Sequence, residues 1–114
     1  MALIESGTIV SNIISESTKL KGDFELDNVL RVDGEFSGSI KSTSKVLIGE
    51  KGKAFCNIEA DAIEIGGIWE GSAKAKSLIK VYSTGKVKGS LEAPRIIIEE
   101  GVLLNGSVNV VRQK

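Results

Sequence analysis

The sequence predicts an all-β chain wound as a parallel β-helix, a solenoid of about six windings. The first observation behind this is a recurring nine-residue pattern. GKVKGSLEA at 85–93 returns as GEFSGSIKS (34–42), GKAFCNIEA (52–60) and GIWEGSAKA (67–75), with looser copies TKLKGDFEL (18–26) and VLLNGSVNV (102–110). The second is its period: the column Gly22, Gly38, Cys56, Gly71, Gly89 and Gly106 advances by 16, 18, 15, 18 and 17 residues, a spacing typical of stacked repeats. The third is composition. Thirteen glycines stand against one Trp, one Tyr and three Phe in 114 residues, so something other than a globular aromatic core must organise the chain.

Within each motif the apolar residues alternate, the pattern of a half-buried strand. Down the stack, equivalent residues lie about 4.8 Å apart and can pair in parallel register. The first inward column reads Leu20, Phe36, Ala54, Trp69, Val87 and Leu104, and the second Phe24, Ile40, Ile58, Ala73, Leu91 and Val108. A third column, Leu26, Ser42, Ala60, Ala75, Ala93 and Val110, is mostly small. Ala54 between Phe36 and Trp69 suggests that large and small side chains share a narrow core, as close packing requires.

Ahead of each later motif comes an apolar pair one residue apart: Leu30 with Val32, Val46 with Ile48, Ile63 with Ile65, Ile79 with Val81, and Ile96 with Ile98. The only variable length in the repeat follows this pair, which marks a corner. The expected core is therefore Phe36, Ile40, Ile48, Ile58, Ile65, Trp69, Val81, Val87, Leu91 and Ile98.

Glycine is a weak strand residue that marks bends or close backbone approach, so its column predicts a corner that every winding turns at the same place. Cys56 is the exception and reads as a small structural residue. The next column, Asp23, Ser39, Asn57, Ser72, Ser90 and Ser107, suits hydrogen bonding to corner backbone or water. Outward, Glu25, Lys41, Glu59, Lys74, Glu92 and Asn109 alternate acid with base, which turns like-charge repulsion into small favourable pairs. A second outward column, Arg31, Leu47, Glu64, Lys80 and Ile97, carries exposed apolar residues, and so does the position of Phe55. If Leu47 and Phe55 share a side, a binding module that recruits a protein partner there is the rival reading.

Several function classes fall away. Fifteen Lys plus Arg balance fifteen Asp plus Glu, so the basic footprint of a nucleic-acid binder is missing. The chain has no histidine, which excludes a histidine-ligated metal centre or a histidine general base. Paired carboxylates fall at corners or in ladders, and nothing gathers them into a cleft. No enzyme activity, catalytic residue, metal or cofactor is expected. One cysteine gives no internal disulfide framework, and MALIESGTIVSN lacks the basic and apolar regions of a secretion signal; a cytoplasmic location is the expectation.

The ends are more informative. A β-helix leaves strand edges open where the stack begins and stops, and monomeric proteins cover or charge such edges. IIIEEGVLLNGSVNVV (96–111) is apolar and followed only by RQK, while IVSNIIS (9–15) is apolar and β-prone with no helix signal before it. Strand addition between copies is the predicted result. The expected contacts are Ile9, Val10, Ile13 and Ile14 at one end and Leu103, Leu104, Val108 and Val110 at the other.

The windings VLRVDGEFSGSI, VLIGEKGKAFCNIEADAIEIGGIWEG, IKVYSTGKVKGSLEAPRIIIEEG and the closing LLNGSV resemble those of the bactofilins, bacterial cytoskeletal proteins, from about Ile14 to Val110. The resemblance implies a right-handed helix with a triangular apolar core and nucleotide-independent assembly into nonpolar filaments of the protein itself. It also implies roles in cell shape, motility or envelope organisation, with envelope-associated partners. The organisation becomes a tail at 1–13, the β-helix domain at 14–111 and a tail at 112–114. In the family an aromatic of the last winding often supports the polymer contact; here Leu104 takes that place, with Leu103 beside it. Membrane association through a short N-terminal tail would fall to Met1, Ala2, Leu3 and Ile4, at the inner face of the cytoplasmic membrane. Residues 1–13 contain one acid and no base, and a short apolar tail without basic help anchors weakly.

Overall fold

The computed structural model describes residues 11–111. Ten strands follow one another: β1 (Ser11–Ile14), β2 (Lys19–Leu26), β3 (Val29–Val32), β4 (Glu35–Ser42), β5 (Lys45–Ile48), β6 (Lys53–Ile65), β7 (Ile68–Val81), β8 (Lys86–Ala93), β9 (Ile96–Ile98) and β10 (Leu103–Val110). Every pairing is parallel. The motif strands stack as β2, β4, β6, β7, β8 and β10, and the apolar-pair strands as β1, β3, β5, β6, β7 and β9. The bend in each motif strand divides it in two, so a winding has three sides and the chain is a parallel β-solenoid of about six turns. Its first described strand, β1, begins with the described residues themselves.

The inward columns stack residue on residue, Leu20 to Phe36 to Ala54 to Trp69 to Val87 to Leu104. Phe36, Ala54 and Trp69 are each 0% exposed, so the small residue does lie between the two largest. Ile40, Ile48, Ile58, Ile65, Val81, Val87 and Leu91 are also buried. Ile98 is not: it is 40% exposed, and the core expectation fails there because its column ends with it. Among the described residues β9 pairs with β7 alone, so the upper side of Ile98 is uncovered.

The glycine column satisfies both requirements of its corner. Gly38 has φ +132°, a region closed to most side chains, and a Cβ there would land on the carbonyl oxygen of Gly22 one winding earlier. Gly71, Gly89 and Gly106 stand in the same relation to the winding before them. Cys56 avoids the conflict differently. No described residue other than glycine has positive φ, so its backbone stays ordinary and its side chain enters the core, 4% exposed. The ladder to β7 skips Cys56 and Asn57. Asn57 compensates, its Oδ1 accepting from the Ser72 N–H at 3.1 Å.

That polar column bonds between windings instead of to its own corner: Ser39 Oγ donates to Asp23 Oδ1 at 2.7 Å, and Ser72 Oγ to Asn57 Oδ1 at 3.2 Å. At the variable corner two of the longer loops close as four-residue turns, with Gly52 N–H on Gly49 O and Gly85 N–H on Tyr82 O. Of the alternating charges, Lys41 meets Glu59 at 3.7 Å and Lys74 meets Glu92 at 3.8 Å. These are exposed pairs worth at most about 1 kcal/mol each.

Candidate assembly surfaces at the two ends

β1 and β2 have a strand on one side only, β3 and β4 respectively, and β9 and β10 likewise have only β7 and β8. Among the described residues no strand covers their outer edges, so each end offers a full three-sided rim of unpaired backbone groups. Such groups are strong donors and acceptors whose burial without partners is costly.

Inside each rim the core columns come to the surface. At the C-terminal end the inward Leu104 is 38%, Val108 39% and Val110 61% exposed; Leu103, 63% exposed on the outward column of Lys86, and Val111 adjoin them. At the N-terminal end Leu20 is 39% exposed and Phe24 and Leu26 are half-buried. Phe24 packs edge-on against Phe36, ring centroids 5.1 Å apart. Ile13 is 60% exposed, whereas Ile14 is 3% exposed. Ile14 is thus core under β3 and not free for an end contact, because its side chain faces inward on the column of Val32. Ile9 and Val10, like Met1, Ala2, Leu3 and Ile4, lie outside the described residues. The sequence reading missed Leu20, Phe24 and Leu26 as end residues, although its own inward columns begin with them.

The outward residues of the two ends differ. β2 carries Lys19, Lys21, Asp23 and Glu25, all exposed, whereas β10 reads LLNGSVNV with no charge. The sides of the stack offer less. Leu47 lies in the β3–β5–β6 ladder and Phe55 in the β4–β6–β7 ladder, so they occupy different sides and make no joint apolar face. On the Leu47 side the neighbouring Glu64 accepts from Tyr82 Oη and pairs with Lys45 Nζ at 2.8 Å, while Lys80 Nζ sits 4.7 Å from the Tyr82 ring centroid. Partial burial pushes the Glu64 carboxyl up, but the Lys45 and Tyr82 hydrogen bonds and the Lys45 and Lys80 charges outweigh it and hold it below its ordinary range. The same hydrogen bond raises Tyr82.

Burial pushes the Cys56 thiol up to about 12, with the Trp69 indole opposing slightly. The Trp69 Nε1–H nevertheless has no hydrogen-bond partner of proper geometry, so the sulfur is a neighbour and not an acceptor. A thiol this poorly ionised is inert. Among the described residues no cluster of three or more His, Cys, Asp or Glu could hold a metal, and no helix is long and apolar enough to cross a membrane.

A parallel β-solenoid that exposes its core columns and strand edges at both ends defines a class of strand-stacking repeat protein. The chain belongs to the bactofilin family: residues 12–109 match the family profile, described as polymer-forming cytoskeletal. Bactofilin BacO of Myxococcus xanthus (strain DK1622) is 27% identical over 104 residues, 90% of this chain and 82% of that protein. Bactofilin BacP of the same strain is 22% identical over 108 residues, 95% of this chain but only 45% of the longer BacP. The fold superimposes on Thermus thermophilus bactofilin, solved by cryo-EM as double helical filaments, with TM-score 0.79 and 22% identity over 85% of this chain and 96% of that one. It also matches the cytoskeletal bactofilin BacA, solved by solid-state NMR, with TM-score 0.77 and 22% identity over 92% and 98% of the two chains.

Proposed function

We propose that this chain assembles end to end, without nucleotide, into nonpolar filaments that act as a cytoplasmic scaffold for cell shape, motility or envelope organisation. The observation that carries the reading is the pair of open rims, each a ring of unpaired backbone groups around exposed apolar columns. Stacking a second copy on either rim pairs the strand edge and buries the apolar residues together, the physics of strand addition. Leu103, Leu104, Val108 and Val110 make the C-terminal contact; Ile13, Leu20, Phe24 and Leu26 make the N-terminal one. Ile9 and Val10 would extend the latter, and Met1, Ala2, Leu3 and Ile4 would touch the membrane surface.

Leu104→Arg tests the reading by placing a charge in a desolvated contact. Sedimentation of the variant should show monomers or short oligomers in place of large species, with β circular dichroism unchanged. Filaments as abundant as in the wild type, seen by electron microscopy, would refute end-to-end stacking.

A further inference from the structure

We infer that the side of the solenoid formed by the first halves of the motif strands docks flat on an anionic lipid surface, its lysines at the headgroups and Phe55 with Ile68 pressed between them. This contact is separate from the two rims and does not depend on how copies stack.

The bend at the glycine column leaves residues 19–21, 35–37, 53–55, 68–70, 86–88 and 103–105 on one side. Outward, that side carries Lys19, Lys21, Lys53, Lys86 and Lys88 against two acids, Glu35 and Glu70. Among the described residues none of these forms an ion pair within the chain. That holds even though Glu35 is the cross-strand neighbour of Lys53, and Glu70 of Lys88. The other two sides differ. Beyond the bend Asp23, Glu25, Glu59 and Glu92 outnumber the lysines, and Lys41 and Lys74 are paired with Glu59 and Glu92. On the third side Arg31 pairs with Asp33, Lys45 pairs with Glu64, and Lys80 lies over the Tyr82 ring. A chain with no net charge therefore gathers its uncommitted lysines on one side.

The apolar residues of that side decide what the lysines meet. Phe55 is 42% exposed and Ile68 is partly exposed. They are diagonal neighbours on adjacent windings, because Phe55 pairs with Glu70 and Ile68 with Lys53. Lys53 lies on the strand of Phe55, Lys86 stacks on Ile68, and Lys88 stands beyond Glu70. Both belong to middle windings, so a contact at either rim leaves them open. Nothing in the scaffold asks for an aromatic there, since the other windings place Lys21, Ser37, Glu70, Lys88 and Asn105 at the position of Phe55. An apolar pair ringed by lysines suits the boundary of an anionic bilayer, where apolar groups enter among the headgroups and each lysine near the surface adds attraction. Long lysine stems reach the phosphates while the strands lie flat. Single-stranded nucleic acid is a poorer fit, because it is held by a succession of aromatics along a groove, and Phe55 stands beside an aliphatic residue.

The experiment mixes the full chain with vesicles of phosphatidylcholine, alone or mixed with phosphatidylglycerol, and floats them through a density gradient. Flotation separates bound protein from filaments, which sink. The wild type should rise with the anionic vesicles only, and less at about 500 mM than at about 50 mM NaCl, where screening lengths differ by more than twofold. Lys88→Glu should raise the anionic lipid concentration needed for half flotation by roughly tenfold or more, and Phe55→Ser by roughly fivefold. Lys76→Glu makes the same charge change at the corner between the other two sides and should float as the wild type does; circular dichroism checks that each variant folds. Lys88→Glu floating like the wild type would overturn the inference and leave residues 1–10 as the anchor. Equal losses from Lys76→Glu and Lys88→Glu would overturn it by showing that total charge, and not this side, binds. A wild type that ignores anionic vesicles, or retains single-stranded DNA in their place, would overturn it as well. Electron microscopy without lipid reports the end-to-end reading separately.

Discussion

β2 and β10 occupy the same place at opposite ends of the stack, and their inner residues are nearly interchangeable: Leu20, Phe24 and Leu26 against Leu104, Val108 and Val110. Their outer residues have little in common, since β2 carries two lysines and two acids where β10 has leucine, asparagine and serine. The inner positions are dictated by the column beneath, which must go on filling one narrow core whatever happens at the end. The outer positions carry no such constraint, so an end can be tuned for what it accepts without disturbing the fold. The glycine column tells the same story along the axis. Gly106 rests on the carbonyl of Gly89, while among the described residues a Cβ on Gly22 would meet only the Phe24 ring.

The largest effect should come from breaking that last correspondence. Gly106→Val combines φ +149° with a Cβ on the Gly89 carbonyl. It should detach β10 at a cost of about 3 kcal/mol or more, seen as lost hydrogen-exchange protection over 103–110 with β4 to β7 still protected. Gly22→Ala, strained in φ but unobstructed, should cost only about 1–2 kcal/mol. Equal losses at the two ends would mean that φ alone governs the column.

A smaller effect is expected away from both ends. Glu64 has a folded pKa below its unfolded one, so its contribution to stability is present above the unfolded value and is lost as pH falls through the folded value. Glu64→Gln should therefore lower stability at neutral pH, by on the order of 1 kcal/mol or less after solvent screening, and the difference should vanish in acid. Urea titrations at neutral and acidic pH measure it; a gap that widens in acid would contradict the sign. The smallest effect is at Cys56. With its thiol pushed up to about 12 and buried, maleimide should leave it unlabelled at pH 8 in the wild type and in Gly106→Val alike. Rapid labelling in the variant alone would show that the ends are not independent of the middle.

The fold was legible because a stacked repeat writes its columns into the sequence twice, once as alternation along each strand and again as recurrence from winding to winding. Phe36, Ala54 and Trp69 could be placed on one another from spacing alone, and so could the bend at Gly38. The candidate surfaces were legible at Leu104 and Val108, which continue the inward columns into β10. Less visible was the exposure of Ile98 and the burial of Ile14, because a column looks alike at every level and only the last member lacks a neighbour. The Lys45–Glu64–Tyr82 cluster was equally hidden, since its members belong to three windings and meet across columns instead of along one.

By itself, then, the sequence determined the period, the inward and outward columns and the bend, since these depend on residue size and alternation and repeat until no other arrangement fits. The tertiary structure alone decided which copies of a repeated residue are covered. It also decided how winding three copes without its glycine, by turning Cys56 inward and lending the Asn57 side chain to the ladder. Both depend on where backbone and neighbours lie in space, which a recurring pattern does not record.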